Sequence, residues 1–203
     1  MPTPAEGLPL LHAPLPDVTT ERLVLRRPAP DDLDELTVVF AKREVWRFPH
    51  GRGFTRAESE AFLLAQLEHW DTCAAGCWIA QHRESGRILG YLGLAVPTFL
   101  PAVLPALEVG WRLDPDAWGQ GYATEGASAA LDQAFSTLGL DDVCSIIQTD
   151  NIASVRVAER LGMRHEHDVE LPPTDRRGAV TAAVFRITAA EWAARCPSGS
   201  DLA

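Results

Sequence analysis

The stretch Trp118-Gly119-Gln120-Gly121-Tyr122-Ala123-Thr124-Glu125 decides how the rest of the chain is read. An alternating run precedes it, Leu107-Glu108-Val109-Gly110-Trp111-Arg112-Leu113, which is the pattern of a strand. After it, Ala127, Leu131, Ala134, Phe135 and Leu138 recur at helical spacing, and Gly139 supplies a stop. Two glycines one residue apart therefore sit between a strand and a helix. Glycine lets the backbone turn tightly and approach a ligand closely. The first turn of a helix offers N–H groups without intrahelical partners and the positive end of the dipole. Together these suit phosphate oxygens. Glycine spacing alone favours an ordinary strand-to-helix turn, because Gly-x-Gly is common. A dinucleotide fingerprint would need a third glycine where Thr124 stands, and a P-loop would need Gly-Lys-Ser/Thr, which the chain lacks.

The run from Glu108 to Met163 resembles the GNAT superfamily of acyl-CoA-dependent N-acetyltransferases. That family's phosphate loop reads Gln/Arg-x-x-Gly-x-Gly/Ala; Gly121 and Ala123 match its last two positions, and Trp118 replaces the first. The wording of the loop is similar to that of the ribosomal-protein alanine acetyltransferases. So are Asn151-x-x-Ser154-x-Arg156 ending in Leu161-Gly162-Met163, and Glu108-x-Gly110-x-x-Leu113-Asp114-Pro115. The resemblance implies a mixed α/β fold: one mostly antiparallel sheet of six or seven strands, flanked by helices and splayed beside the glycine-turn strand. It implies acetyl-CoA as cosubstrate, entering that gap. Its pyrophosphate would lie on the backbone of Trp118, Gly119, Gln120, Gly121, Tyr122, Ala123 and Thr124, with Asn151 and Arg156 as further coenzyme contacts. Trp118 removes one side-chain donor from that cradle. Glu125 stands close to it, either repelling the phosphates or pointing away. Homodimers are common in the family.

Amide formation from a thioester needs an uncharged amine, and an alkyl ammonium is mostly protonated at neutral pH, so a general base is useful. Glu108 shares one strand face with Gly110 and Arg112, and Gly110 leaves room there for a ligand. The resemblance makes Glu108 the base or the substrate anchor; a solvated residue, or one paired with Arg112, is the plainer reading. Many family members carry a Tyr seven residues after the motif Asn as proton donor; here Ala158 stands there. Ser154 then has two readings, a donor to the leaving sulfur or a residue satisfying first-turn backbone groups. Asn151 orients ligand, caps its helix, or does both. The catalytic set is thus Glu108, Ser154 and Asn151, with direct transfer and no acyl-cysteine.

Length and composition narrow the rest. The chain has 203 residues, enough for one domain with a sizeable core, expected over residues 19–195. Residues 1–18, rich in proline, read as a surface extension, and 196–203 as a loose tail. The net charge of −10 argues against direct contact with nucleic acid; it fits steering of an amine substrate, either a protein N-terminus or a small molecule, and equally a role in solubility alone. No apolar run reaches the roughly 18 residues of a membrane span. Cys73, Cys77, Cys144 and Cys196 form no metal or CxxC spacing, so reduced thiols in a cytoplasm are expected. His165 and His167, two apart, fall on one strand face, yet with too few ligands near them for zinc; no metal is expected. A coenzyme-binding sensor with little catalysis, or a longer donor such as succinyl-CoA, are the alternatives.

Along the chain, Arg22 to Arg26 reads as a strand and Pro30 to Phe40 as a helix, with Trp46 to Phe54 irregular. Thr55-Arg56-Ala57-Glu58 is a capping box opening a helix to about Trp70. Trp78 to His82 and Ile88 to Val96 read as a hairpin. Pro97 to Pro105 is a loop, either a substrate wall or a packed connector. Val143 to Thr149 reads as a buried strand, followed by a helix with Ile152, Val155 and Leu161 inward. A closing hairpin, Arg164 to Leu171 and Ala179 to Ile187, and a short helix from Ala189 complete the domain.

Overall fold

A computed structural model describes residues 15–73, 76–174 and 177–195. The expectations for 1–14 and 196–203 lie outside the described residues. In chain order the strands are β1 (Val18–Thr19), β2 (Leu23–Arg26), β3 (Cys77–His82), β4 (Ile88–Ala95), β5 (Leu107–Leu113), β6 (Asp142–Gln148), β7 (Arg164–Leu171) and β8 (Val180–Thr188). The helices are α1 (Leu33–Phe40), α2 (Arg47–His50), α3 (Arg56–Cys73), α4 (Tyr122–Asp132), α5 (Ile152–Arg160) and α6 (Ala189–Arg195).

One sheet contains all eight strands, in the order β1-β2-β3-β4-β5-β6-β8-β7. It exceeds the six or seven expected because Val18 and Thr19 pair with Leu25 and Val24 as a short edge strand. Leu15, only 5% exposed, sits in the core, and the indole Nε1–H of Trp78 donates to the carbonyl of Pro16 at 3.2 Å. Leu15 and the Pro16 carbonyl, within the expected extension, are thus tied to the core, while Pro16 and Asp17 themselves are exposed. Every pairing is antiparallel except β5 with β6. That parallel pair is joined through α4, because parallel neighbours need a crossover rather than a tight turn.

Helices cover both faces. On one, Leu92, Val109 and Leu113 of the sheet meet Ala127, Ala130 and Leu131 of α4. A Cβ on Gly126 would lie 2.3 Å from Leu92 Cδ2, so at this glycine α4 packs directly on the Leu92 side chain of the sheet. This close seat fixes where its N-terminus points. On the other face, Leu36 and Phe40 of α1 and Leu63 of α3 cover Ile79 and Ile88. The capping box forms: Thr55 N–H donates to Glu58 Oε2 at 2.8 Å, and Glu58 N–H donates to Thr55 Oγ1 at 3.3 Å. Leu100, Val103 and Ala106 of the proline loop pack on Cys144, Leu171 and Val184, leaving Phe99 54% exposed.

Three expectations change. Residues 43–50 hold short helical turns, a 3-10 turn over Arg43–Trp46 and then α2, kinked at Phe48 whose backbone is extended, where sequence periodicity showed nothing. Ile152 points outward, 53% exposed, while Val155 and Leu161 of the same region pack inward. His165 and His167 do not share a face. A bulge between them pairs His165 with Phe185 and His167 with Val184, adjacent residues that project to opposite sides. His165 Nε2 instead meets Asp168 Oδ1 at 2.7 Å. Among the described residues no cluster of His, Cys, Asp or Glu has the grouping to hold a metal ion, and no helix is long and apolar enough to cross a membrane.

Candidate active site

The site begins where the sheet opens. β5 and β6 pair only at Leu107 with Val143 and Glu108 with Cys144; beyond that point they diverge. The N–H of Ile146 would have bonded to β5. It donates instead to Glu108 Oε1, at 3.3 Å. Backbone groups of alternate residues point to the same edge of a strand. The carbonyl of Ile146 and the N–H of Gln148 thus also face the gap, while Thr149 N–H turns the other way, to Thr181. An open strand edge beside a carboxylate can take amide groups from an extended ligand.

A pocket of about 470 Å³ fills this gap. Glu108, Gly110 and Arg112 line it from β5, and Asn151 and Ser154 from the start of α5. The three residues expected to be catalytic thus share one hollow. Burial raises the Glu108 carboxyl to about 7, opposed by the Ile146 hydrogen bond and the field of Arg112. A carboxyl poised near neutrality can accept a proton at physiological pH. Arg112 does not pair with Glu108. Its Nη1 donates to the carbonyls of Val45 and Phe48, and its Nε to Tyr91 Oη at 3.2 Å. Asn151 caps α5, its Oδ1 accepting the Ser154 N–H at 3.3 Å. The Ser154 hydroxyl makes no hydrogen bond among the described residues. Cys77 also lines the pocket, but burial pushes its thiol up to about 12, leaving it protonated and a poor nucleophile. Cys144, raised to about 12 by burial, is a core residue.

The glycine turn lies at the other end of β5. Gly119 and Gly121 have φ of 73° and 86°, a region glycine enters without penalty. Gly121 is the N-cap of α4 and has no side chain to cap it. The first intrahelical bond runs from Glu125 N–H to the Gly121 carbonyl at 2.9 Å. The N–H groups of Tyr122, Ala123 and Thr124 accordingly have no intrahelical acceptor. Gln120 is fixed by its own amide, donating to the Asp116 carbonyl at 2.8 Å, and Trp118 by its Nε1–H, donating to Leu113 at 2.8 Å. The Trp118 ring remains 50% exposed. Glu125 turns away from the cradle: it accepts from Thr20 Oγ1 at 2.6 Å and from the backbone and side chain of Arg22 at 2.7 Å. Burial opposes its ionisation, but these partners outweigh it and hold the carboxyl below its usual range. Arg156 is exposed on α5, outside the pocket lining.

Sequence reading missed the aromatic wall. Trp46, Phe48, Phe62 and Tyr91 also line the pocket, brought there by the 3-10 turn before α2, by α2, by α3 and by β4, where Tyr91 stands beside Arg112 of β5. The density of aromatics between residues 46 and 62 was visible, but that segment has no single period to place it, and Tyr91 joins it only in the fold. A second hollow of about 410 Å³ between α4, α5 and α6 contains none of the expected site residues.

Residues 22–164 match the model of the acetyltransferase (GNAT) domain. The chain is 28% identical over 158 residues to the uncharacterized N-acetyltransferase YoaA of Bacillus subtilis, covering 74% of this chain and 84% of that one. It is 38% identical over 158 residues to the FsC-acetyl coenzyme A-N(2)-transacetylase of Aspergillus fumigatus, covering 70% of this chain and 63% of that one. A further relative, the Bacillus subtilis protein YkkB, is matched over 52% of its length. Among solved structures, the acetyltransferase from Agrobacterium tumefaciens superposes with a TM-score of 0.67 at 29% identity, covering 87% of this chain and 96% of that one. With the matched domain spanning both the glycine turn and the splayed strands, the chain belongs to the GNAT acetyltransferase family and is an N-acetyltransferase.

Proposed function

We propose that the protein transfers an acetyl group from acetyl-CoA directly to a primary amine. The observation that carries this reading is the convergence of Glu108, Asn151 and Ser154 on the pocket where β5 and β6 part. The first-turn N–H groups of α4 hold the pyrophosphate, and the free edge of β6 holds the pantetheine amides. Glu108 takes a proton from the acceptor ammonium. The amine lone pair then attacks the thioester carbonyl, forming the C–N bond, and the C–S bond breaks. The Ser154 hydroxyl donates a hydrogen bond to the departing sulfur, and the amine's second proton ends on the thiol. The products are an acetamide and CoA. Asn151 holds the first turn of α5, and with it Ser154, in place.

The Aspergillus relative's name, an acetyl coenzyme A transacetylase, supports acetyl-CoA as donor. The test is thiol release from acetyl-CoA across an amine panel, with native protein and with Glu108→Gln. Native turnover and a variant slowed by about 10²-fold or more support the reading. An undiminished variant removes Glu108 as base, and preference for succinyl-CoA changes the donor.

A further inference from the structure

The pocket is polarised along its length. Glu108, Gly110 and Arg112 project to one face of β5, so at about 3.3 Å per residue the first and last lie about 13 Å apart at Cα, with Gly110 between them. A Cβ built on Gly110 meets no atom within 4 Å, and its φ lies outside the left-handed region. The backbone does not require glycine there, and glycine weakens a strand interior. What it provides is an open floor. Trp46, Phe48 and Phe62 line the same pocket, and Tyr91 of β4 stands beside Arg112, with Phe62 and Tyr91 ring centroids 4.7 Å apart.

The far end contains unspent donors. The Arg112 guanidinium lies 4.1 Å from the Trp46 ring and is anchored through Nε and Nη1. Its Nη2 has no partner among the described residues. Trp46 is 4% exposed, and its Nε1–H has no acceptor. A buried donor left without a partner is costly, and a ligand acceptor is one of the things that can satisfy it. At the near end, Glu108 is the only carboxylate among the described lining residues. A second ammonium would enter without a counter-charge, which is unfavourable.

Resting on the acetyltransferase reading above, we propose that the acceptor is a monoamine with a flat aromatic body and an anionic oxygen group at its far end. The amine lies at Glu108, the ring over Gly110 against the aromatic wall, and the oxygen group at Arg112 Nη2 and Trp46 Nε1. This chemistry separates the acceptor from polyamines and from protein N-termini, which lack a rigid spacer ending in a charge.

The test measures kcat and KM for 4-(aminomethyl)benzoate, benzylamine, spermidine and an alanine-initiated peptide, with acetyl-CoA saturating. Native protein, Gly110→Leu and Gly110→Ala are compared, and acetyl-CoA affinity is followed by calorimetry as a check on the fold. The expected result is kcat/KM for 4-(aminomethyl)benzoate about tenfold or more above benzylamine, the loss of one charged hydrogen bond, and further above the other two. Gly110→Leu then raises KM for 4-(aminomethyl)benzoate about tenfold or more with acetyl-CoA affinity retained; if that variant does not fold, Gly110→Ala gives a smaller rise in the same direction. Preference for spermidine or the peptide, or an unchanged KM in the folded variant, overturns the proposal while leaving acetyl transfer intact. No turnover of any amine, despite acetyl-CoA binding, overturns both the proposal and the transfer reading.

Discussion

Glu108→Gln should make the protein more stable at alkaline pH while slowing it as an enzyme. Burial lifts this carboxyl from the ordinary glutamate value of 4.5 to about 7. The folded state therefore binds the proton more tightly than the unfolded state. Below pH 4.5 both states are protonated and the site costs nothing. Between 4.5 and 7 the unfolded state ionises first, so stability falls as pH rises, and above 7 the full cost is present. The shift corresponds to about 3 kcal/mol, and water entering through the pocket mouth reduces it toward about 2. Glutamine keeps an oxygen to accept the Ile146 N–H and carries no charge to desolvate. The variant should match the native protein near pH 4.5 and exceed it at pH 8 by about 2–3 kcal/mol, or about 4–12 °C in Tm for a domain of this size. Thermal unfolding across pH 4.5–8.5 measures this. A difference that does not grow with pH, or a variant less stable at pH 8, refutes the reasoning about burial. In the native enzyme, kcat/KM should rise through about pH 7 as the base loses its proton.

Ser154→Ala should lower kcat by about 10-fold or more while leaving acetyl-CoA affinity unchanged, read by steady-state kinetics and calorimetry; an unchanged kcat removes Ser154 as proton donor. Gly121→Ala forces a side chain into φ of 86° beside Arg22 Nη2, 3.3 Å from the new Cβ, at a cost of about 1–2 kcal/mol; urea unfolding should show that loss, and calorimetry a weaker acetyl-CoA complex. Glu125→Gln should destabilise the fold at pH 7 by about 1–3 kcal/mol, because Thr20 and Arg22 lose a charged acceptor. That folded carboxyl titrates below its unfolded value, so its contribution is complete above about pH 4.5 and disappears as pH falls through the lowered value; a loss independent of pH would contradict the charge's role.

What the sequence showed was local. The strand–glycine–helix unit was legible because alternation, glycine and three-to-four spacing each act within a few residues. Asn151 as a cap and Thr55 with Glu58 as a capping box were legible for the same reason. The eight-stranded order, with β8 inserted between β6 and β7, follows from burying both faces of a sheet and leaves no local mark. Glu125 could not be placed from its neighbours, since its partners Thr20 and Arg22 stand 105 and 103 residues away. Arg112 sits four residues from Glu108 on one strand face, but its guanidinium is claimed by carbonyls near residues 45 and 48. The His165–His167 alternation failed because one bulged residue reverses the facing of the strand. The aromatic wall assembles from four elements, the 3-10 turn at Trp46, α2, α3 and β4, and only the tertiary fold brings them to one pocket with Gly110.

The most direct measurement of the central claim is a calorimetric titration of the purified chain with acetyl-CoA, CoA and succinyl-CoA. Acetyl-CoA should bind with micromolar affinity, weakened in Gly121→Ala. Binding of none of the three would contradict the central claim and leave the glycine turn an ordinary strand-to-helix connection.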